Sequence, residues 1–467
     1  MSLINSVKRH HAGVFRRAYV KRRSASTGQF ETDWQEITGD VKQWGTYKVA
    51  IDATKPNKFA FANSTIVMAN DEGLYNPNDD ETSLWYTYMS QQRTLVKIET
   101  GFLNQTKGVN GLWSSEEVPD ASNWDEAVWD GDSAEWDTTD NSVLFTGMIS
   151  GDIFLSSKNE VSFNIAPLTR VFIDYPAKNL TGWTSTGLTA SQFVTMLRDQ
   201  TDGSGSYVFR PFFQNTTTGW NISTTSVVYG NLNTSTAAEV IDSNVWQVIE
   251  KIAEAESYVP YVSRDGTFNF VARTANTSTV AYQFYGSGSY SSQYGNTIKS
   301  IERYGRRVSK FYSRVQVKWA AADTATSYQV YESSLVVGGQ NNPWDVGPRS
   351  LELENLLIPN TTTASTVALA LFTELGSLKN EIAFTTSFLP HMDILDRVSI
   401  YYDSPPSSTQ TLWDQNDWTA DNTVTSTDLL FEQSTGDAIR LNGEEFKFQS
   451  IAVNLDKLET KFEAREI

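Results

Sequence analysis

Two stretches of the chain repeat one pattern, and they decide the fold. The first is R-T-L-V-K-I-E-T (Arg93–Thr100), followed after an acidic loop by V-L-F-T-G-M-I-S-G-D-I-F-L-S-S-K-N-E-V-S-F-N-I (Val143–Ile165). The second is D-R-V-S-I-Y-Y-D (Asp396–Asp403), followed by L-W-D-Q-N-D-W-T-A-D-N (Leu412–Asn422) and by F-K-F-Q-S-I-A-V-N-L-D-K-L-E-T-K-F-E-A (Phe446–Ala464). Outside the loops, apolar and polar residues alternate, which predicts strands. Each stretch therefore predicts a strand, a Trp/Asp loop, and two strands joined by a short turn.

We interpret this repeat as a duplicated β unit, with one copy towards each end of the chain. Chance similarity between two acidic, Trp-rich loops is the alternative. An enzyme seldom needs its active-site loop twice, whereas a closed ring is built from repeated surfaces. The sequence thus predicts a mainly β protein with an α+β portion, made of two similar small antiparallel β-barrels and an α+β middle domain.

The pattern between the two repeats defines the predicted domains. Ser243 is a candidate N-cap for a helix whose apolar residues follow the i, i+3, i+4, i+7 spacing, and a second helix is predicted over Thr363–Leu375. The predicted divisions are a basic N-terminal arm and first strand at 1–25, a first barrel at 26–170 with an acidic loop at 109–141, a middle domain at 171–305, and a second barrel at 306–467 with a helical insertion at about 345–378.

The acidic loop 109–141 supports two interpretations. It contains ten carboxylates and four tryptophans but no Lys or Arg. Trp beside Asp is the composition of sugar-binding grooves and glycosidases, since a Trp face stacks on a pyranose ring. The same composition describes a solvated loop anchored by aromatic side chains, and adjacent carboxylates in a loop lack the fixed separation that glycoside hydrolysis needs. The candidate contact or glycan-binding residues of both acidic loops are Trp124, Trp129, Trp136, Trp413 and Trp418.

The composition excludes several classes of site. The chain has 467 residues, no cysteine and three histidines, so thiol catalysis, thiolate metal sites and a His-rich metal site are not expected. No EF-hand spacing occurs among the acidic residues. No apolar run approaches the roughly 18 residues of a membrane span. We therefore predict no catalytic residue, no metal site, no cofactor and no membrane segment.

Charge is unevenly distributed along the chain. The net charge is -18, yet the first 23 residues carry basic side chains and no acidic ones. A basic arm on an acidic body is more compatible with docking on an acidic partner surface than with binding DNA, because the acidic body repels phosphates. The candidate partner-interface residues are Lys8, Arg9, Arg16, Arg17, Lys21, Arg22 and Arg23.

An ordered set of motifs resembles the tail hub proteins of bacteriophages, of the type found in the T4 baseplate. That family carries W-x-D-V-T-x-x-V, L-x-N-x-D-G-x-[FY]-x-P, F-x-G-x-I, a middle-domain helix with a D-G-x-[FL]-x-F hairpin, and P-x-[LI]-x-[LI]-G-D-x-V. The similar segments here are W-Q-E-I-T-G-D-V (Trp34–Val41), N-D-E-G-L-Y-N-P-N (Asn70–Asn78), F-T-G-M-I (Phe145–Ile149), V-W-Q-V-I-E-K-I-A-E-A (Val245–Ala255), D-G-T-F-N-F (Asp265–Phe270) and L-P-H-M-D-I-L-D-R-V-S-I (Leu389–Ile400). Leu395 stands where the family usually has Gly, which affects only the local turn.

The resemblance implies a structural virion protein at the tail tip or baseplate. In such proteins two similar barrels per chain form a homotrimer with a pseudo-sixfold ring. The ring connects the sixfold tail tube or a distal tail protein to a threefold central fibre or spike, and DNA passes through it without specific binding. The alternatives are a carbohydrate-binding or glycan-degrading tail protein that uses the Trp/Asp loops, and the hub of a contractile injection system.

Overall fold

The computed structural model describes most of the chain outside the two acidic loops. The described residues are 13–24, 28–51, 59–61, 64–71, 73–75, 94–105, 136–137, 141–157, 159–180, 187–213, 217–229, 243–272, 280–286, 297–306, 308–319, 328–332, 349–355, 357–394, 396–403 and 439–467.

Strands dominate these ranges, with few helices, as the sequence predicted. The strands are β1 (Gly13–Arg22), β2 (Gln35–Glu36), β3 (Val41–Gln43), β4 (Thr46–Ile51), β5 (Phe59–Phe61), β6 (Ser64–Ala69), β7 (Thr94–Gln105), β8 (Trp136–Asp137), β9 (Asn141–Ser157), β10 (Glu160–Pro167), β11 (Leu188–Thr189), β12 (Trp220–Ile222), β13 (Val228–Tyr229), β14 (Tyr258–Val262), β15 (Phe268–Ala272), β16 (Val280–Gly286), β17 (Ile298–Arg306), β18 (Arg314–Lys318), β19 (Tyr328–Glu332), β20 (Ser350–Glu354), β21 (Asn380–Ser387), β22 (Arg397–Asp403), β23 (Arg440–Asn454) and β24 (Glu459–Glu466). The α-helices are α1 (Arg170–Ile173), α2 (Ala190–Arg198), α3 (Val245–Glu256) and α4 (Thr361–Leu375).

Helix α3 begins one residue later than its predicted cap implies. Its N-cap is Asn244, not Ser243. The Asn244 side chain accepts a hydrogen bond from the Gln247 backbone N–H at 2.9 Å, and the Gln247 side chain accepts one from the Asn244 N–H at 3.1 Å. This reciprocal capping box satisfies two N–H groups that an uncapped helix start leaves without partners. Ser243 has no matching residue three positions along that could make the same pair.

The two large sheets have the same strand order. The first runs β2-β1-β7-β9-β10-β6-β3, and the second runs β16-β22-β23-β24-β21-β17. The strands of each sheet can be numbered from 1 to 6 by their order along the chain, with the segment from β2 to β3 counted as one strand. From one side of the sheet to the other, both sheets then have the order 1, 4, 5, 6, 3, 2. The orientations differ at one place, since β1 is antiparallel to β7 whereas β16 is parallel to β22. The repeated pattern in the sequence thus corresponds to a repeated sheet topology.

In each sheet, a backbone hydrogen bond connects the first strand with the segment that leads into the second. In the first sheet the Ile37 N–H donates to the Ala18 carbonyl at 2.8 Å, and the chain then crosses to pair with β6 through β3. In the second sheet the Thr297 N–H donates to the Tyr285 carbonyl, also at 2.8 Å, before β17 crosses to β21. These contacts pair backbone groups that a flat sheet leaves open at its edges.

Strand β4 joins the two sheets. It follows β3 closely in sequence, but it pairs antiparallel with β23 of the second sheet, from Thr46 opposite Asn454 to Ala50 opposite Ser450. Strand β5 in turn pairs with β4. A single hydrophobic core then contains residues of both sheets, including Ile66 and Phe163 from the first sheet. The second sheet contributes Phe384 and Phe462, among others, to this shared core.

The middle region has its own aromatic core. Phe172 of α1 is fully buried and contacts the rings of Phe209, Phe213, Trp220, Trp246 and Phe268, with centroid distances from 4.9 to 6.3 Å. Residues of β18 and α4 belong to the same core, although they lie in the range predicted for the second barrel. Strands β16 and β17, in the range predicted for the middle domain, belong to the second sheet. The domain boundaries themselves stay a prediction.

Candidate assembly surfaces

The junction between the two sheets is fixed by one carboxylate and one arginine. Asp456 lies in the turn between β23 and β24, and its carboxylate accepts the backbone N–H groups of Trp44 and Gly45 at 3.0 and 3.1 Å. The Arg16 guanidinium donates to the Leu455 carbonyl at 2.8 Å and lies 5.4 Å from the centroid of the Trp44 ring. Hydrogen bonds that involve a charged group are stronger than neutral ones, so these contacts hold the start of β4 against the second sheet.

The predicted basic arm is partly a strand of the first sheet. From Gly13 to Arg22 the chain pairs with β7 along its whole length. Arg22 forms an ion pair with Glu31 at 2.7 Å, and Arg23 donates to the Gly28 carbonyl at 2.6 Å. Arg16, Arg22 and Arg23 therefore make polar contacts with their own chain. Lys8 and Arg9 lie outside the described residues.

Arg17 and Lys21 lie on the face of β1 opposite the buried Ala18 and Val20, where they are interleaved with aromatic rings. The Arg17 guanidinium is 5.4 Å from the centroid of the Phe15 ring, and the Lys21 ammonium is 5.2 Å from that of Trp34. A hydrogen bond with Tyr19 raises the pKa of Arg17, and burial lowers the pKa of Lys21.

Lys97 extends this basic, aromatic face onto β7. Its ammonium lies 4.5 Å from the Tyr19 ring centroid and 5.1 Å from that of Trp34, and it pairs with Glu99 at 2.5 Å. We call Arg17, Tyr19, Lys21, Trp34 and Lys97 the β1 outer face. Cations held against rings favour contact with carboxylates of a partner and retain apolar area for burial.

Of the five predicted tryptophans, Trp136 is the one that lies within the described residues. The backbone of Trp136 forms the short strand β8, opposite Gln105 of β7. Trp124, Trp129, Trp413 and Trp418 lie outside the described residues. The hypothesis that these side chains contact a neighbour or a glycan stays a prediction.

A cluster of charged groups joins the middle hairpin to the second sheet. The turn between β14 and β15 places Arg264 against the segment that precedes β22, where its guanidinium donates to the Pro390 carbonyl. Burial lowers the pKa of Arg264, while the charges of Asp393 and Asp396 oppose that shift. Burial and the charge of Arg264 lower the pKa of His391 to about 4, so its ring is neutral at pH 7. The motif at Asp265–Phe270 indicated a hairpin here, but not this junction.

Asp396 gives this cluster a pH dependence. Burial raises its pKa to about 6, although the Asp393 N–H donates to its carboxylate at 2.8 Å. In the unfolded chain, an aspartate has a pKa of about 4. Because folding raises the pKa of Asp396, its contribution to stability is fully present below pH 4 and is lost as pH rises through about 6. We expect Asp396→Asn to gain stability relative to wild type between pH 5 and pH 7.5, by on the order of 1 kcal/mol after allowing for solvent screening.

The measurement is denaturant unfolding of both proteins at the two pH values. Asp71→Asn, at an exposed carboxylate, is the matched control and should show no such change. If the free energy of unfolding differs between Asp396→Asn and wild type by the same amount at pH 5 and at pH 7.5, the raised pKa of Asp396 is contradicted.

Within the described part of the chain, no group of three or more His, Asp or Glu side chains is arranged to hold a metal ion. In the same residues no helix combines the length and the apolar character needed to cross a membrane.

No protein-family model and no curated protein matches this chain. Solved structures do. The tail protein from Neisseria meningitidis MC58 is similar with a TM-score of 0.49 and 11% identity, over 97% of this chain and 96% of that one. The prophage MuSo2 43 kDa tail protein from Shewanella oneidensis gives 0.46 and 11%, over 96% of each chain. Prophage tail protein gp18 from Listeria monocytogenes EGD-e gives 0.47 and 9%, over 96% of this chain and 94% of that one. By their names, all three are tail proteins, and the second and third come from prophages.

Proposed function

We propose that this chain is a structural hub protein of a phage tail tip or baseplate, and that it assembles as a homotrimer. The observation that carries the proposal is the presence of two sheets with one strand order in a single chain, joined by β4 and a shared core. Three such chains supply six similar units arranged about a threefold axis. A ring of this kind matches a sixfold tube on one side and a threefold fibre or spike on the other.

The motifs that resemble phage hub proteins support this proposal independently of the sheet topology. They occur in the family's order, and several lie in the elements that build the two sheets and the middle hairpin. The motif at Phe145–Ile149 is in β9, and the one at Asp265–Phe270 forms the turn and strand β15. Each unit would form a small barrel, closed where its first and second strands meet. No enzymatic activity is part of the proposal.

Electrostatics assign roles to two surfaces in such a ring. The β1 outer face carries three cations on a chain of net charge -18, with Glu36 and Glu99 opposite Tyr19 and Arg17, so we assign it the contact with the tail tube or distal tail protein. The acidic remainder of the chain repels phosphates, which lets DNA pass a central channel without binding to its wall.

Electron microscopy of the purified protein tests the arrangement. We expect threefold particles with six similar lobes around a central opening. Particles without threefold symmetry, or with three lobes and no further pseudo-symmetry, would contradict the proposal.

A further inference from the structure

The segment between β21 and β22 holds the middle hairpin, β14 and β15, against the second sheet. Its Pro390 carbonyl accepts a hydrogen bond from the Arg264 guanidinium, which lies in the turn of the hairpin. Its Ile394 side chain is buried in a small core with Ile51 of β4 and Val259 of β14. The position of the middle hairpin on the second sheet therefore depends on this segment.

The same segment buries a base and an acid. The His391 ring packs against the Tyr282 ring of β16, with 5.9 Å between the ring centroids, and both of its nitrogens are inaccessible to solvent. Within the described part of the chain, neither nitrogen has a hydrogen-bond partner. Asp396 is half-buried, and its backbone carbonyl accepts the Phe448 N–H at 3.2 Å. Burial disfavours the charged form of both side chains.

Charged groups of the neighbouring elements act on this pair as well. Burial lowers the pKa of His391 to about 4 and raises that of Asp396 to about 6, and the Arg264 charge lowers both values. The charge of Asp393 acts in the opposite direction on Asp396 and raises its pKa. The other titratable groups of the elements that pack here are Tyr261 of β14, Asp265 of the turn, Tyr282 of β16, Lys48 of β4, and the ion pair of Arg397 with Glu445 on β22 and β23.

A buried acid and a buried base respond to acidification with opposite signs. The carboxyl takes up its proton more readily in the folded chain than in the unfolded chain, so a falling pH stabilises the fold through it. The imidazole takes up its proton more readily in the unfolded chain, so a falling pH destabilises the fold through it. We propose that His391 and Asp396 form a compensating pair, in which the carboxyl offsets the imidazole and keeps the middle hairpin on the second sheet as the surroundings acidify.

The two contributions are of comparable size between pH 7.5 and pH 5. With a pKa of about 4 in the fold and 6.5 in the unfolded chain, His391 raises the unfolding equilibrium constant by up to about thirtyfold over this range. With a pKa of about 6 in the fold and 3.8 in the unfolded chain, Asp396 lowers it by up to about tenfold. Together they leave a change of about threefold.

Denaturant unfolding of wild type, His391→Phe, Asp396→Asn and the double variant at the two pH values tests the pair. The double variant is the reference, because every other titrating group is common to all four proteins. Relative to it, acidification should raise the unfolding constant of Asp396→Asn by up to about thirtyfold, lower that of His391→Phe by up to about tenfold, and change that of wild type by about threefold.

Responses of the same sign in the two single variants, or a wild-type response as large as that of Asp396→Asn, would overturn the inference. His391→Gln repeats the measurement with a polar side chain that does not titrate in this range, which controls for any effect of the phenyl ring on packing against Tyr282.

Hydrogen exchange shows where the pair acts. From pH 7.5 to pH 5, the protection factors of amides 258–272 should fall more in Asp396→Asn than in wild type, because the offsetting carboxyl is absent. An equal change in both proteins would show that the pair does not act on the hairpin and would overturn the inference.

Nuclear magnetic resonance of the imidazoles gives a direct readout of the base. The chain has three histidines, His10, His11 and His391, so the signal lost in His391→Phe assigns the third. In wild type this signal should titrate near pH 4. A His391 signal that titrates near its ordinary value of 6.5 would overturn the inference.

Discussion

Replacing Gly45 with alanine is expected to destabilise the protein by about 2–4 kcal/mol, because two independent penalties add there. Gly45 has φ +73°, a left-handed conformation that disfavours a side chain. A Cβ at this position would lie 2.5 Å from the Thr65 carbonyl oxygen and 2.9 Å from the Ser64 hydroxyl. The carbonyl belongs to the backbone of β6 and cannot rotate away. Relief of the clash would displace the Gly45 N–H from Asp456 and move the start of β4.

Gly205→Ala separates the two penalties. Gly205 has φ +82°, but no atom lies within 4 Å of its potential Cβ, so only the conformational penalty of about 1–2 kcal/mol applies. Denaturant unfolding of wild type and both variants gives the comparison. Equal losses in Gly45→Ala and Gly205→Ala would show that the approach to β6 adds nothing, contrary to the geometry described.

Replacing Phe462 with alanine is expected to cost about 3–5 kcal/mol, the range for removing a large buried aromatic side chain. Phe462 is fully buried, and its ring is stacked on Phe448 and Phe384 at centroid distances of 4.6 and 5.3 Å. The ring of Phe284 meets it edge-on at 5.4 Å. The cavity left by the substitution is lined by these rings, which pack in a sheet that cannot collapse freely.

Phe163→Ala, at a fully buried phenylalanine of the first sheet, extends this test to the shared core. Because both rings belong to one core, each variant should shift a single cooperative unfolding transition by a similar amount. Phe462→Leu, which keeps most of the buried volume, should lose markedly less stability than Phe462→Ala. Two separate transitions, of which each alanine variant shifts only one, would mean that the sheets unfold independently.

Local pattern was sufficient to predict the repeated strands but not the partner of β4. Alternation along Arg93–Thr100 and Asp396–Asp403 predicts strands correctly, because each has one face in the core. The pairing of Ala50 with Ser450 joins residues 400 positions apart, and nothing in the local sequence specifies that contact. The one available signal was Gly45 near the start of a strand pattern, since an isolated glycine in a strand indicates a bulge or a close approach of another backbone.

The sequence predicted which residues contribute to the candidate site, but not which contacts they make. The charge pattern of β1 identified Arg17 and Lys21, which lie on its outer face. It did not distinguish them from Arg23, whose guanidinium lies 5.8 Å from the Phe30 ring and 5.2 Å from the Phe212 ring. That contact depends on how the middle region meets the first sheet. The Asp456 carboxylate was missed for the same reason, since its two N–H donors come from the opposite end of the chain.

We propose that three chains, each with two sheets of one strand order, form one ring. The most direct test is the mass of the purified protein in solution, measured by light scattering across a range of concentrations. One chain has a mass of 52.2 kDa, so a trimer gives roughly three times that value. We expect the trimer mass to persist on dilution. A stable monomer or dimer would contradict the account.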